Sequence, residues 1–310
     1  MTGMDVKTIY LRSVDYFADR LGTVGEDQWA EPTPCVDWDV RGLVNHITYE
    51  DLWTVPLMRG ATIEEVGDQF EGDVVGTDPV NAALTAAREA VEAVTDELPK
   101  GGTVHLSFGE TPKDEYAMQL AADHLIHGWD LAVAIGGDTS MDSDLVAAFT
   151  AWFDDNEAGY RGAGAIAARR QLNGDAHHDL LARFGRDASW GTNHRVLAAF
   201  NAAFGSGDVD AALALVTDDI VFDSTSPSPD GQRFEGRDAV RPVWVEVMGT
   251  PGMTFTEEES LVTGDRAVVR WRYAWGSADD GGGEDGHVRG VDVIRFRDGL
   301  VCEKLSYVKG

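Results

Sequence analysis

The spacing of apolar residues changes character once along the chain, and that change limits the folds open to it. Ahead of a glycine-bounded segment at Gly185–Gly191, apolar side chains recur every three or four positions. Val6, Tyr10, Val14, Phe17 and Leu21 form one such row, and Val40, Leu43, Val44, Ile47 and Leu52 another. This is the period of an amphipathic helix. Behind the segment, two short helical patterns around Phe200 and Ala211 give way to β-branched and aromatic runs at 220–222, 254–256, 267–275, 287–296 and 301–308. These read as strands, with Asp298-Gly299 as the turn between the last two. A chain of 310 residues suits two cores better than one. We therefore expect residues 1–188 to form an all-α, up-and-down bundle. Residues 189–310 are expected to form an α+β domain, helices first and then a strongly antiparallel meander.

Within the front half, Asp39 is placed to cap the second helix, and Pro79 to Leu98 forms an Ala-rich helix. Pro112 opens a long helix ending at Gly136-Gly137, and a further helix covers roughly Asp142 to Phe153. Residues 161–191 show no clear period. In the rear half, 279–286 is an acidic, Gly-rich loop.

Acidic residues outnumber basic ones by 54 to 25, for a net charge of −29. Phosphate recognition needs a basic face, so neither nucleic acid nor an anionic membrane is expected as a partner. No apolar run is long enough for a membrane span and no leader pattern is evident, so a cytoplasmic location is expected. Cys35 and Cys302 are too few and too far apart for a disulfide framework.

The chemistry-bearing stretch is Ala121-Ala122-Asp123-His124-Leu125-Ile126-His127-Gly128-Trp129-Asp130-Leu131. On a helix, Asp123 and His127 stand one turn apart on one face, with Asp130 following on the same stripe. An acid and an imidazole so spaced suit a divalent metal, and a third ligand is available in His46 on another helix, with Glu50 one turn beyond it. His46, Asp123 and His127 then form a three-ligand set with open positions. His124 is the rival ligand, and Asp130 is read as a local partner. Cys35 has no basic neighbour in the sequence to activate it.

The stretches Thr33-Pro34-Cys35-Val36-Asp37-Trp38-Asp39-Val40-Arg41-Gly42-Leu43-Val44-Asn45-His46 and His127-Gly128-Trp129-Asp130-Leu131-Ala132 resemble the actinobacterial DinB-like family. That family includes the metal-binding domain of mycothiol-dependent maleylpyruvate isomerase. The resemblance spans about residues 5–190. It implies a four-helix bundle holding a divalent ion (zinc first, nickel or iron as alternatives) at His46, Asp123 and His127, and mycothiol as a cosubstrate. The isomerase carries Glu where this chain has Asp123, and it has a different C-terminal domain.

Residues 192–310 resemble the NTF2-like superfamily in its SnoaL and ketosteroid-isomerase branch. The carriers are 200–208, Thr217-Asp218-Asp219-Ile220-Val221-Phe222-Asp223 and 292–300. The resemblance implies a cone with a curved antiparallel sheet, a small-molecule substrate and a homodimer through this domain. Asp223 falls where the steroid isomerases keep a proton-shuttling base, and Asp292 where they keep a protonated acid. Phe200 replaces the tyrosine of their oxyanion hole. By period two, Asp292 shares a face with Val288, Gly290, Ile294 and Phe296, so it either faces a pocket or pairs with Arg270, Arg272 or Lys304. Three functions are left standing. They are a metal-dependent isomerase or thiol transferase, proton-transfer chemistry in the rear pocket, and a non-catalytic fusion that binds small molecules.

Overall fold

The computed structural model describes residues 3–35, 38–250, 252–276 and 286–309. Val36 and Asp37 of the first motif, and all of the acidic loop but Gly286, lie outside the described residues. The chain divides into two compact units, Met1–Ala188 and Ser189–Gly310. Among the described residues, no helix is long and apolar enough to cross a membrane.

The first unit is helical. It contains α1 (Val6–Leu21), α2 (Val40–Met58), the single turn α3 (Ile63–Val66), α4 (Pro79–Glu97), the antiparallel hairpin β1 (Thr103–Leu106) and β2 (Gly109–Pro112), α5 (Lys113–Ile135), α6 (Ser143–Gly162) and α7 (Ala176–Arg183). Asp39 caps α2 by accepting the Gly42 N–H at 2.7 Å. Gly136, at φ 71°, ends α5 in the left-handed conformation that glycine adopts without strain. α1 packs on α5 and α2 on α4, with further contacts between α2 and α5 and between α1 and α4. Phe17, Leu21, Val40, Leu43, Val44, Ile47 and Leu131 share one core, each contributing about 1.5–3 kcal/mol by burial. Gly128 lets α1 and α5 approach, because a Cβ there would meet the Tyr16 ring at 2.7 Å.

Two boundaries differ from the sequence reading. α6 continues past Phe153 to Gly162, because Phe153 stacks on Tyr160 and on Phe184 while the Tyr160 hydroxyl donates to Glu115 at 2.6 Å. The intervening acids and Asn156 hide that row. α7 forms inside the stretch read as irregular, capped by Asp175 and anchored by buried Leu180 and Leu181.

The second unit runs α8 (Thr192–Ser206), α9 (Val209–Ala214), β3 (Val216–Asp223), β4 (Arg233–Glu235), α10 (Arg237–Met248), β5 (Thr254–Thr263), β6 (Arg266–Trp275), β7 (Gly286–Arg297) and β8 (Leu300–Val308). Among the described residues its sheet has the order β4-β3-β8-β7-β6-β5. The expected meander holds for β5 to β8, but β3 joins β8 in parallel, and α10 lies between β4 and β5 in the chain. α10 buries Val240, Trp244 and Met248, a row at four-residue spacing that Pro242 interrupts in the sequence. Trp244 is the centre of this core, with the rings of Phe200, Phe204 and Phe222 between 5.0 and 5.8 Å away.

Candidate metal centre and cavity

α2 and α5 bring His46 and His127 edge to face, with ring centroids 5.1 Å apart. Trp38 stacks on His46 at 4.4 Å and fixes its plane. One turn along α2 is Glu50, and one turn before His127 is Asp123. His46, Glu50 and Asp123 are half-buried, so the group is reachable from outside. Burial pushes His46 down to about 4, which keeps its imidazole neutral and able to donate a lone pair. Burial, then the carboxylates of Asp123 and Asp51, push Glu50 up to about 8. His124 faces elsewhere. Its Nδ1 lies 2.8 Å from the Leu120 carbonyl and its Nε2 3.3 Å from Asp51, both side chains fully buried.

A second cluster lies on the far side of His127. Among the described residues, Cys35, His127 and Asp130 are the trio whose donor atoms fall within 4.8 Å of one another; His46, Asp123 and His127 do not close to that range. That trio already has its cation, however. Arg186 Nη2 reaches Asp130 Oδ2 at 2.7 Å and Cys35 Sγ at 3.1 Å, and Nε reaches Asp130 Oδ1 at 2.9 Å. Burial works to raise the Asp130 pKa, but the guanidinium and the His127 hydrogen bond outweigh it and hold the carboxyl below its usual range. An ionised Asp130 only accepts, so the contact at 3.0 Å is His127 Nδ1–H donating to it. The lone pair of His127 is then on Nε2. Burial and the Asp130 carboxylate push the Cys35 thiol up to about 12, against the pull of Arg186. The expectation that Cys35 lacks a basic neighbour is therefore corrected. Arg186 stands 151 residues away in sequence and only the fold delivers it.

The acids leave a signature in metal-free protein. Glu50 titrates near 8 when folded against an ordinary 4.5, so its contribution to stability is full below pH 4.5 and lost as pH rises through 8. His46, depressed from 6.5 to about 4, adds stability as pH rises between those values. His124 is raised from 6.5; burial lowers it but Asp51 outweighs that, so it too loses stability with rising pH. The thermal midpoint of metal-free protein should fall between pH 6.5 and 8, and fall less in Glu50→Gln. An equal fall in both proteins would remove Glu50 from the account.

In the second unit a cavity of about 610 Å³ is lined by Phe204, Phe222, Trp244, Trp271, Tyr273 and Lys304, among others. Asp292 lies on the same face of the sheet as the lining residues Val288, Lys304 and Ser306 but is only 2 % exposed, with its Oδ2 2.6 Å from Lys304 Nζ. Of the three cations offered by the sequence, Lys304 is the partner, while Arg270 pairs with Glu258 and Glu259. Asp223 alternates to the side opposite Phe222 and is gripped by Arg233 at 2.7 and 2.8 Å, which holds its carboxyl below the usual range. It is not among the residues lining the cavity. Phe200 is buried against Trp244 in the core.

Comparison with known proteins matches residues 10–132 to the mycothiol maleylpyruvate isomerase N-terminal domain and residues 197–304 to the SnoaL-like domain. The chain is similar to uncharacterized proteins of two Mycobacterium tuberculosis strains, CDC 1551 and H37Rv. Each is 31% identical over 147 residues, which span 46% of this chain and 74% of the relative. Among solved structures it is similar to an NTF2-like protein of unknown function from Mesorhizobium loti (38% identity, 38% of this chain and 92% of that one, TM-score 0.34). A second is a putative ketosteroid isomerase from Kribbella flavida (18% identity, 38% and 78%, TM-score 0.32).

Proposed function

The chain belongs, through residues 10–132, to the family of the mycothiol maleylpyruvate isomerase N-terminal domain, and from that premise we propose a metal-dependent enzyme of isomerase or thiol-transferase type acting on a small organic molecule. In this reading the first unit is a DinB-like four-helix bundle that holds a divalent ion through His46, Asp123 and His127, with Glu50 beside them. The residue types suit such an ion. Two imidazoles meet with ring centroids 5.1 Å apart, and the carboxyl groups of Glu50 and Asp123 stand one helical turn from them with no salt bridge among the described residues, whereas Asp51 and Asp130 already have theirs. A bound divalent ion supplies a Lewis acid that lowers the pKa of a coordinated thiol or water. Trp38 keeps the His46 plane fixed, and Asp130 with Arg186 keeps the Nε2 lone pair of His127 directed away from Cys35. A mycothiol-like thiol is the cosubstrate the family relationship favours.

The observation that carries this reading is the convergence of His46 and His127 from separate helices. Its test is elemental analysis of full-length protein purified without chelator or metal-affinity resin. About one equivalent of a divalent transition metal is expected in the parent and at most about a tenth of that in His46→Ala. A metal-free parent at neutral pH that also fails to take up added zinc overturns the proposal.

A further inference from the structure

We propose that the cavity of the second unit binds an aromatic carboxylate, with Lys304 as the group that recognises the anion. The strand register places Lys304 beside Phe222 on β3 and Ile294 on β7, and its side chain is 8 % exposed. An ammonium carries three N–H donors. One is engaged by Asp292 at 2.6 Å and one by the Ser306 hydroxyl at 2.8 Å. Nζ also lies 5.4 and 5.3 Å from the ring centroids of Phe204 and Phe222, two walls of the cavity. The third donor is thus left for a ligand.

The rings of Trp244 and Trp271 also form part of the wall, while their indole N–H groups are buried without an acceptor among the described residues. The acid nearest to Lys304 is paired with it, and Glu246 is exposed on α10. The interior therefore offers a cationic donor, Lys304, set in aromatic walls. Its complement is a flat apolar body bearing a group that accepts and does not donate, and a carboxylate is such a group. The volume, about 610 Å³, falls within the ~300–1,000 Å³ typical of small-molecule sites. The rival ligand is a cation, because Asp292 Oδ1 also makes no hydrogen bond. That oxygen is itself buried, out of reach of a molecule in the cavity, which favours the anion.

The test uses the full chain and three probes with one ring system, namely 2-naphthoate, its methyl ester and 2-naphthylmethylamine, titrated by calorimetry. Saturable binding of naphthoate at least about tenfold tighter than either neutral ester or amine is expected. Lys304→Met alone strands a buried carboxylate, so the readable variant is Lys304→Met with Asp292→Leu, which removes both charges together. That double variant should bind the ester as the parent does and naphthoate at least about tenfold more weakly. No saturable naphthoate binding, equal affinity for acid and ester, tighter binding of the amine, or unchanged naphthoate affinity in the double variant overturns the assignment.

Discussion

Arg186→Met is expected to destabilise the first unit by about 3–5 kcal/mol in urea denaturation of the full chain. The loss follows from what the guanidinium covers. It contacts both oxygens of Asp130, a side chain with no exposed surface, and its Nη2 also reaches the Cys35 sulfur. Without it a buried carboxylate keeps only the His127 and Cys35 hydrogen bonds at 3.0 and 3.4 Å. Arg186→Met combined with Asp130→Asn should recover most of the loss, because no unpaired charge is then left behind. Metal retention should fall as well, by roughly 10–100-fold in affinity, since Asp130 is what fixes the His127 ring. A single variant that costs under about 1 kcal/mol and keeps the parent's metal affinity would show that Arg186 neither neutralises Asp130 nor supports His127.

How much of this was legible in the sequence depends on how far apart the partners lie. His46 with Glu50, and Asp123 with His127, sit at helical spacing on strongly periodic segments. Local rules place each pair on one face, and the caps at Asp39 and Gly136 mark where the helices start and stop. The change of apolar period gave the two-domain order, and the family motifs added the fold of each domain. Arg186 could not be found that way, because 56 residues separate it from Asp130 and nothing local marks it as buried. The partner of Asp292 was narrowed to three cations and then decided by register. Asp292 faces Val269 and Ser306 across the ladder. Arg270 therefore alternates to the outer side, and Lys304 reaches in diagonally. Asp223 shows the same parity: its strand neighbour Phe222 faces the cavity, so the acid faces out. The parallel pairing of β3 with β8 escaped because strand patterns carry no direction. α10 escaped because its buried row is only three residues long, with a proline inside it.

His124 and His127 are separated by one helical turn, and exchanging either for alanine should produce opposite defects. His124→Ala is expected to keep its metal and lose about 3–5 kcal/mol of stability. His127→Ala is expected to lose the metal while its metal-free stability stays within about 1–2 kcal/mol of the metal-free parent. The difference lies in what each ring is doing. His124 is 1 % exposed and 3.3 Å from an equally buried Asp51. Tyr10 and Phe17 meet it edge-on, and its Nδ1 is taken by the Leu120 carbonyl. Both of its nitrogens are thus committed, so it has no lone pair to offer an ion, and its removal leaves Asp51 buried without a counter-charge. His127 commits only Nδ1, to Asp130, and presents its other nitrogen toward the side where the His46 ring stands. Should His124→Ala prove too unstable to purify, His124→Leu with Asp51→Leu removes the buried pair together and is expected to fold with its metal in place. Metal content and thermal midpoint, measured on the same preparations, decide between the two roles. A stable His124 variant that has lost its ion would move the ligand assignment from His127 to His124.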